Sequence, residues 1–170
     1  MGKFKLLIIY VVVVGAVAAL GFWLMKSSEK KTENLPGQTF ENQGQEHIAE
    51  GSTEHPPYNS NPPTSGWHWP VSAAWGVYPG GQPDERLIHN LEHGGIWISY
   101  KPGMVDQDVI NLLNDFANRY SKIIVEPREK NDAAISLAAW NHLQNLDQFD
   151  ETAILRFIDA FYDEGPEKVD

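Results

Sequence analysis

The chain has no cysteine, which excludes disulfides, thiolate metal sites and thiol chemistry together. Thioethers are almost as scarce, because Met104 is the only methionine beyond residue 25. Basic residues are few as well. From His47 onward there are 8 Lys and Arg against 19 Asp and Glu. That balance argues against nucleic acid, whose binding rests on neutralised phosphates, and against broad contact with anionic lipid headgroups. Long charge-free runs that are also continuously apolar are missing, with one exception near the N-terminus.

The exception is Leu6 to Met25, 20 residues without a charge. At about 1.5 Å per residue it reaches roughly 30 Å, the thickness of a bilayer's hydrocarbon core. Lys3 and Lys5 precede it, and Lys26, Lys30 and Lys31 follow, so the positive-inside rule alone does not orient it. A short N-terminal tail stays in the cytoplasm easily, and long domains translocate largely regardless of charge. A cleaved signal peptide is the alternative, with Ala16-Val17-Ala18 as its cleavage motif. Against it, Ala19 to Met25 continues apolar past that point. The expected organisation is a transmembrane anchor (1–25), a polar tether (26–46) and an exported domain (47–170) on the outer side of the cell membrane.

Residues 47–83 are rich in Pro, Gly, Ser and Asn and carry no sustained period, yet they hold Tyr58, Trp67, Trp69, Trp75 and Tyr78. Aromatics at this density imply ordered loops rather than disorder. Asp84 to His93 can form a short helix ended by Gly94-Gly95. Gly95 to Tyr100 reads as a strand. Val105 to Tyr120 places Val109, Leu112, Leu113, Phe116 and Tyr120 on one helical face. Lys122 to Glu126 and Ala134 to Trp140 read as further strands. Asp150 or Thr152 can cap a last helix to Tyr162, with Ile154, Leu155, Phe157, Ile158 and Phe161 facing the core. The first two strands, joined by a helix, should be parallel. The expected fold is α+β: a small mixed sheet with two packed helices and long ordered N-terminal loops, preceded by one transmembrane helix.

Histidine is where the chemistry lies. Five of six histidines fall between His47 and His93, and imidazole is the commonest ligand for transition metals. On a helix His89 and His93 share one face, four residues apart. Pro62-Pro63-Thr64-Ser65-Gly66-Trp67-His68 is a stiffened approach that holds His68 in place, with Gly66 permitting a sharp turn. Three imidazoles from His68, His89 and His93 suit zinc with an open position, or copper. His55 and His47 are candidates to complete the set or line its entrance. Glu92 can ligate, act as a base, or orient a histidine through its second nitrogen; the last is preferred. Met104 is a soft-ligand candidate, more ordinary as core filler. His142 is expected to cap a loop. Ser65 lacks the strand–turn–helix setting of a nucleophile. His89-x-x-Glu92-His93 also has the inverzincin order, but the domain is small for a protease cleft.

Taken together, Tyr58, Pro62-Pro63-Thr64-Ser65-Gly66-x-His68, Gly76-Val77-Tyr78, His89-x-Leu91-Glu92-His93-Gly94 and Tyr100 resemble a bacterial family known as domain of unknown function 3105 (DUF3105). Ala138-Ala139-Trp140 and Gly165-Pro166-Glu167 are similar to its tail. Asn141 departs from it, standing where that pattern leads one to expect glycine. The resemblance implies an exported, anchored domain with the histidines at its working site, and supplies no activity. The leading expectation is a membrane-anchored extracytoplasmic metal-binding protein, with copper slightly preferred over zinc. Its ligands would come from His68, His89, His93, His55 and Glu92. The alternatives are an envelope interaction module with structural histidines and, third, a small metal-dependent hydrolase. An uncleaved anchor predicts that the mature protein keeps its N-terminus and stays in the membrane through a high-salt wash. N-terminal sequencing that begins at Ala19 would overturn it.

Overall fold

The computed structural model describes residues 2–32 and 35–168, with the side chains of 3–7, 11 and 25–32 left aside. The chain divides into two compact units, Met1–Leu35 and Pro36–Asp170. The first is one helix, α1 (Gly2–Thr32). Its described apolar side chains, among them Ile9, Val12, Val17, Phe22 and Trp23, are all exposed. Among the described residues no helix is long and apolar enough to cross a membrane. Part of the predicted anchor lies outside the described side chains.

The second unit is built on a six-stranded mixed sheet. Its strands are β1 (Gln38–Thr39), β2 (Gly76–Val77), β3 (Ile96–Tyr100), β4 (Ile123–Pro127), β5 (Ile135–Ala139) and β6 (His142–Leu146), in the order β1-β6-β5-β3-β4-β2. β3 and β4 are parallel, as their intervening helix requires, and β2 joins β4 in parallel. β5 runs antiparallel to β3 and to β6, and β1 closes the far edge against β6. Three helices pack in this unit: α2 (Asp84–Glu92), α3 (Gln107–Arg119) and α4 (Glu151–Phe161). The α+β class stands; the expectation of two helices does not.

Both faces of the central strands are covered, so β3, β4 and β5 are buried along nearly their whole length. Such strands read as continuous apolar runs rather than alternating ones. On one face, Trp97, Ile124, Ala138 and Leu143 form a row across four strands, and Leu87, Ile88 and Leu91 of α2 pack onto it. Each fully buried side chain of this size contributes roughly 1.5–3 kcal/mol. α3 lies against β4 and α4 against β5. Asp106 caps α3 by accepting from Val109 N at 2.9 Å, and Asp150 caps α4 by accepting from Ala153 N at 3.0 Å. Leu112, expected on the buried face of α3, is instead 46% exposed. It borders a surface cavity of about 370 Å³ with Phe149 and Arg119.

Two further corrections concern the ends of the sheet. His142 was expected to cap a loop, but it opens strand β6, stacked on Phe161 at 4.0 Å between centroids. Residues 36–46, expected within the tether, belong to the compact unit: Gln38 and Thr39 pair with β6, and Phe40 N donates to Asn141 O at 2.8 Å. The glycine-like position at Asn141 has a backbone reason. Its φ is +64° in the tight β5–β6 turn, a conformation that asparagine tolerates better than most side chains.

Arg128 ties α2 to the sheet. Its guanidinium donates to both Asp84 carboxylate oxygens, from Nε at 2.9 Å and from Nη2 at 2.7 Å. Beside it Glu126, 1% exposed, accepts from Trp97 Nε1 at 3.1 Å. Burial, reinforced by Asp84, pushes the Glu126 carboxyl up to about 8. Between its ordinary value and that one, the folded chain holds a proton that the unfolded chain releases. Glu126 therefore supports the fold fully at acid pH, and that support is lost as pH rises through about 8. Glu126→Gln should flatten the fall in melting temperature between pH 5 and 8, a difference on the order of 3–6 °C. Parallel curves for variant and wild type would show that Glu126 is ionised throughout.

Candidate metal centre

Three separate stretches of chain deliver the site, each for its own reason. The first is the pair of loops at 43–48 and 64–69. Gly66 N donates to Gly44 O at 3.1 Å, His68 N to Glu46 O at 3.0 Å, and Ile48 N to His68 O at 2.8 Å. His47 and His68 thereby sit side by side in a parallel bridge. Gly66 has φ +115°, and a Cβ there would crowd the Tyr58 ring, so the expected sharp turn does require glycine. Tyr58 Oη donates to Trp67 O at 2.6 Å, and Ser65 Oγ accepts from Gln43 N at 3.1 Å. Ser65 is a buried bracket.

The second stretch is α2. Its last turn buries His89, Asn90, Leu91 and Glu92. Gly94, at φ +78°, ends it: Gly94 N donates to Leu91 O and Gly95 N to Asn90 O, both at 2.9 Å. This is the Schellman pattern. Asn90 pins the helix to the preceding loop by bonding both ways to the Ala73 backbone, at 2.9 Å each. The third stretch is the C-terminal tail. Asp163 N donates to Gly94 O at 2.8 Å and Glu167 N to Glu92 O at 3.1 Å, taking up carbonyls that the helix end leaves free.

Four side chains converge. His47, His68, His89 and Glu92 each offer a ligand atom, and these atoms lie within 4.8 Å of one another. His68 and Glu92 are 0% and 2% exposed, and His89 is 6%. The tautomers follow from the partners. His68 Nδ1 lies 2.7 Å from Gly66 O, and His89 Nδ1 lies 2.8 Å from Trp69 O. A carbonyl only accepts, so both Nδ1 atoms carry hydrogen and both Nε2 atoms present lone pairs when neutral. His68 Nε2 faces Glu92 Oε2 at 3.0 Å, with His47 Nε2 at 3.8 Å from the same oxygen. Gln45 Nε2 donates to Glu92 Oε1 at 2.6 Å. The His47 ring stacks parallel on His89, centroids 5.2 Å apart.

These atoms fit an ion chemically. Metal–ligand bonds of about 2.0–2.2 Å place tetrahedral ligand atoms roughly 3.3–3.6 Å apart, a span bracketed by the 3.0 and 3.8 Å contacts of His68 and His47 with Glu92 Oε2. A backbone carbonyl on the far nitrogen is the usual support of a ligating histidine. Electrostatics agree. Burial acts to raise the Glu92 pKa, but the Gln45 amide and the facing His68 outweigh it and hold the carboxyl below its ordinary value. Burial holds the His89 imidazole below its ordinary value, against the pull of the Trp69 carbonyl.

A second grouping adjoins the first. His89, Glu92, His93 and Glu167 also offer ligand atoms within 4.8 Å of one another. His93 Nε2 lies 3.1 Å from both His89 Nε2 and Glu167 Oε2. Of the predicted residues, His68, His89 and Glu92 share the first grouping and His89, Glu92 and His93 the second, while neither holds His68 and His93 together. His55 lies apart: it bonds Pro56 O at 2.8 Å and Glu85 at 3.3 Å, stacks on Tyr58, and belongs to neither grouping. Sequence reasoning left His47 as a secondary candidate and passed over Gln45 and Glu167. Only the Gly165-Pro166-Glu167 likeness hinted at the tail. Met104 stands on the exposed turn after β3, at the other end of that strand from His93.

Fold and site together define an α+β domain with a buried histidine–carboxylate cluster. Residues 50–170 match the family model described as "Protein of unknown function (DUF3105)". That is well over half of the chain, which therefore belongs to this family. No curated protein matches the chain, and no solved structure does.

Gly165 tests how the tail is seated. A Cβ there would overlap Glu92 O and Gly94 N, so Gly165→Ala must push the tail off the helix end. The expected cost is about 1–3 kcal/mol in chemical denaturation. A change below about 0.5 kcal/mol, the noise level of neutral surface substitutions, would mean that the tail is not held there.

Proposed function

We propose that the domain binds one transition-metal ion through His47, His68, His89 and Glu92, on the outer side of a membrane to which α1 anchors it. One observation carries the metal reading. Two buried histidines spend their Nδ1 hydrogens on backbone carbonyls, so when neutral each offers its Nε2 lone pair, that of His68 toward Glu92 Oε2 at 3.0 Å and that of His89 within 4.8 Å of the same cluster. Without a metal, the 3.0 Å contact between His68 Nε2 and Glu92 needs a proton held in a buried place. With one, the same lone pairs and charge are satisfied together.

The donor set is three imidazoles and a carboxylate, with no thioether from Met104. It suits a divalent ion, zinc or copper(II), and gives no soft ligand that would favour copper(I). Between the two divalent ions, copper(II) binds such a site more tightly by the general affinity order. The membrane part rests on the uncharged run from Leu6 to Met25 and on the exposure of the apolar residues described within it. A binding rather than hydrolytic role is favoured by Glu92, whose oxygens face Gln45 and His68 instead of an open cleft.

Purified full-length protein in mild detergent should take up close to one equivalent of Cu²⁺ or Zn²⁺ and melt at higher temperature with metal at pH 7. Protons compete for imidazole, so the gain should shrink from about pH 7 to 5. His89, held by burial below the ordinary imidazole value, takes up a proton less readily than a free imidazole does. His68→Ala or His89→Ala should weaken binding at least about tenfold, while His142→Ala should leave it unchanged. No uptake and no melting shift at neutral pH would leave an interaction module with structural histidines. An equal loss in His142→Ala would place the site elsewhere.

A further inference from the structure

His89 belongs to both groupings, and its chemistry limits what they can hold. Its Nδ1–H is committed to Trp69 O, so the ring has one lone pair to give, at Nε2. One lone pair binds one ion. The two groupings therefore cannot both be filled through His89, and a two-ion centre bridged by this ring is excluded. They are alternative positions that share a pivot.

The positions differ in ways that assign them different tasks. The inner one has His47 and His68 beside the pivot, and His68 is already in the tautomer that binds metal. The outer one has His93 and Glu167 instead. His93 Nε2 faces two acceptors at 3.1 Å, so it carries hydrogen there and must shift that proton to Nδ1 before it can ligate. The Glu167 side chain is 53% exposed, and His93 lies between it and the buried pivot. Charge follows the same division. The outer set can bring two carboxylates and cancel a divalent ion, while the inner set brings one carboxylate and more imidazole. The outer position is thus solvent-facing, adaptable and weaker; the inner one is preorganised and tighter.

The geometry points to a two-position relay, a deepening that rests on the metal reading above. A single divalent ion is first captured by His93 and Glu167, and it then passes inward on His89 and Glu92 to His47 and His68. Release runs by the reverse exchange. Two of the four ligands are retained throughout, so the ion is never stripped to water during transfer. The metal is on this account cargo, delivered to or from a partner at the face formed by His93 and the C-terminal tail.

The test separates rate from affinity in the full-length protein, using Cu²⁺ alone, with stopped-flow uptake and equilibrium titration. Wild type should saturate at one equivalent. Glu167→Gln and His93→Gln should slow uptake at least about tenfold while leaving the dissociation constant within about threefold; His68→Gln should weaken it at least about tenfold at an unchanged uptake rate. Two equivalents bound at once, with spin coupling in the electron paramagnetic resonance spectrum, would overturn the relay and leave the inner site standing. Unchanged uptake rates in both outer variants would do the same. Absence of any binding in wild type would remove the inner site and the relay together.

Discussion

A buried carboxylate at the wrong end of a helix organises this domain. Glu92 closes α2, where the helix's own dipole is negative and an acidic side chain is unfavourable. Its side chain is shut away from water, which by itself costs several kcal/mol for an ion. Everything near it offsets that cost. Gln45 donates to one oxygen, His68 and His47 face the other, and the tail amide of Glu167 caps its backbone carbonyl. Each side-chain partner lost leaves part of a buried charge unmatched, and the lost tail amide leaves a buried carbonyl without its donor. The loops from Gln43 to Trp69, α2 and the C-terminal tail are therefore mutually dependent, although they are distant in sequence.

The sheet supplies what those loops cannot. Long connections without regular structure carry many backbone groups and bury little by themselves. Here they lean on α2, which is fixed at both ends: by the Arg128–Asp84 pair at its start, and by the glycine cap and tail at its end. Between them Leu87, Ile88 and Leu91 lock the helix onto the row from Trp97 to Leu143. A site held this way has little room to relax, and preorganised side chains lose less freedom on binding.

The elements that were legible in the sequence are those whose pattern is local. Ile96 to Tyr100, Ile123 to Pro127 and Ile135 to Ala139 are apolar or β-branched runs between turns. The α3 and α4 helices carry acidic caps and a 3.6-residue stripe. β6 was not legible. His142-Leu-Gln-Asn-Leu146 has only two aliphatic residues, and it becomes a strand because β5 presents a free edge one tight turn away. β1 and β2 are two residues each, too short for any period, and exist only as additions to neighbours. Leu112 kept the helical period yet faces a cavity, because the pattern cannot tell where the covering neighbour stops.

The histidines divide along the same line. Their type, their crowding, the four-residue step from His89 to His93 and the rigid approach to His68 are properties of the chain, and they pointed to a cluster of imidazoles. Which of them meet was decided only in three dimensions. His55 stood among the expected ligands and His47 only beside them, yet His47 joins the cluster through backbone pairing with His68 while His55 is drawn to Glu85 and Tyr58. The partners Gln45 and Glu167 lie 47 positions before and 75 after Glu92, and no local pattern links them to it. Side-chain type fixes what a residue can bind; the path of the backbone fixes which lone pairs share a point in space.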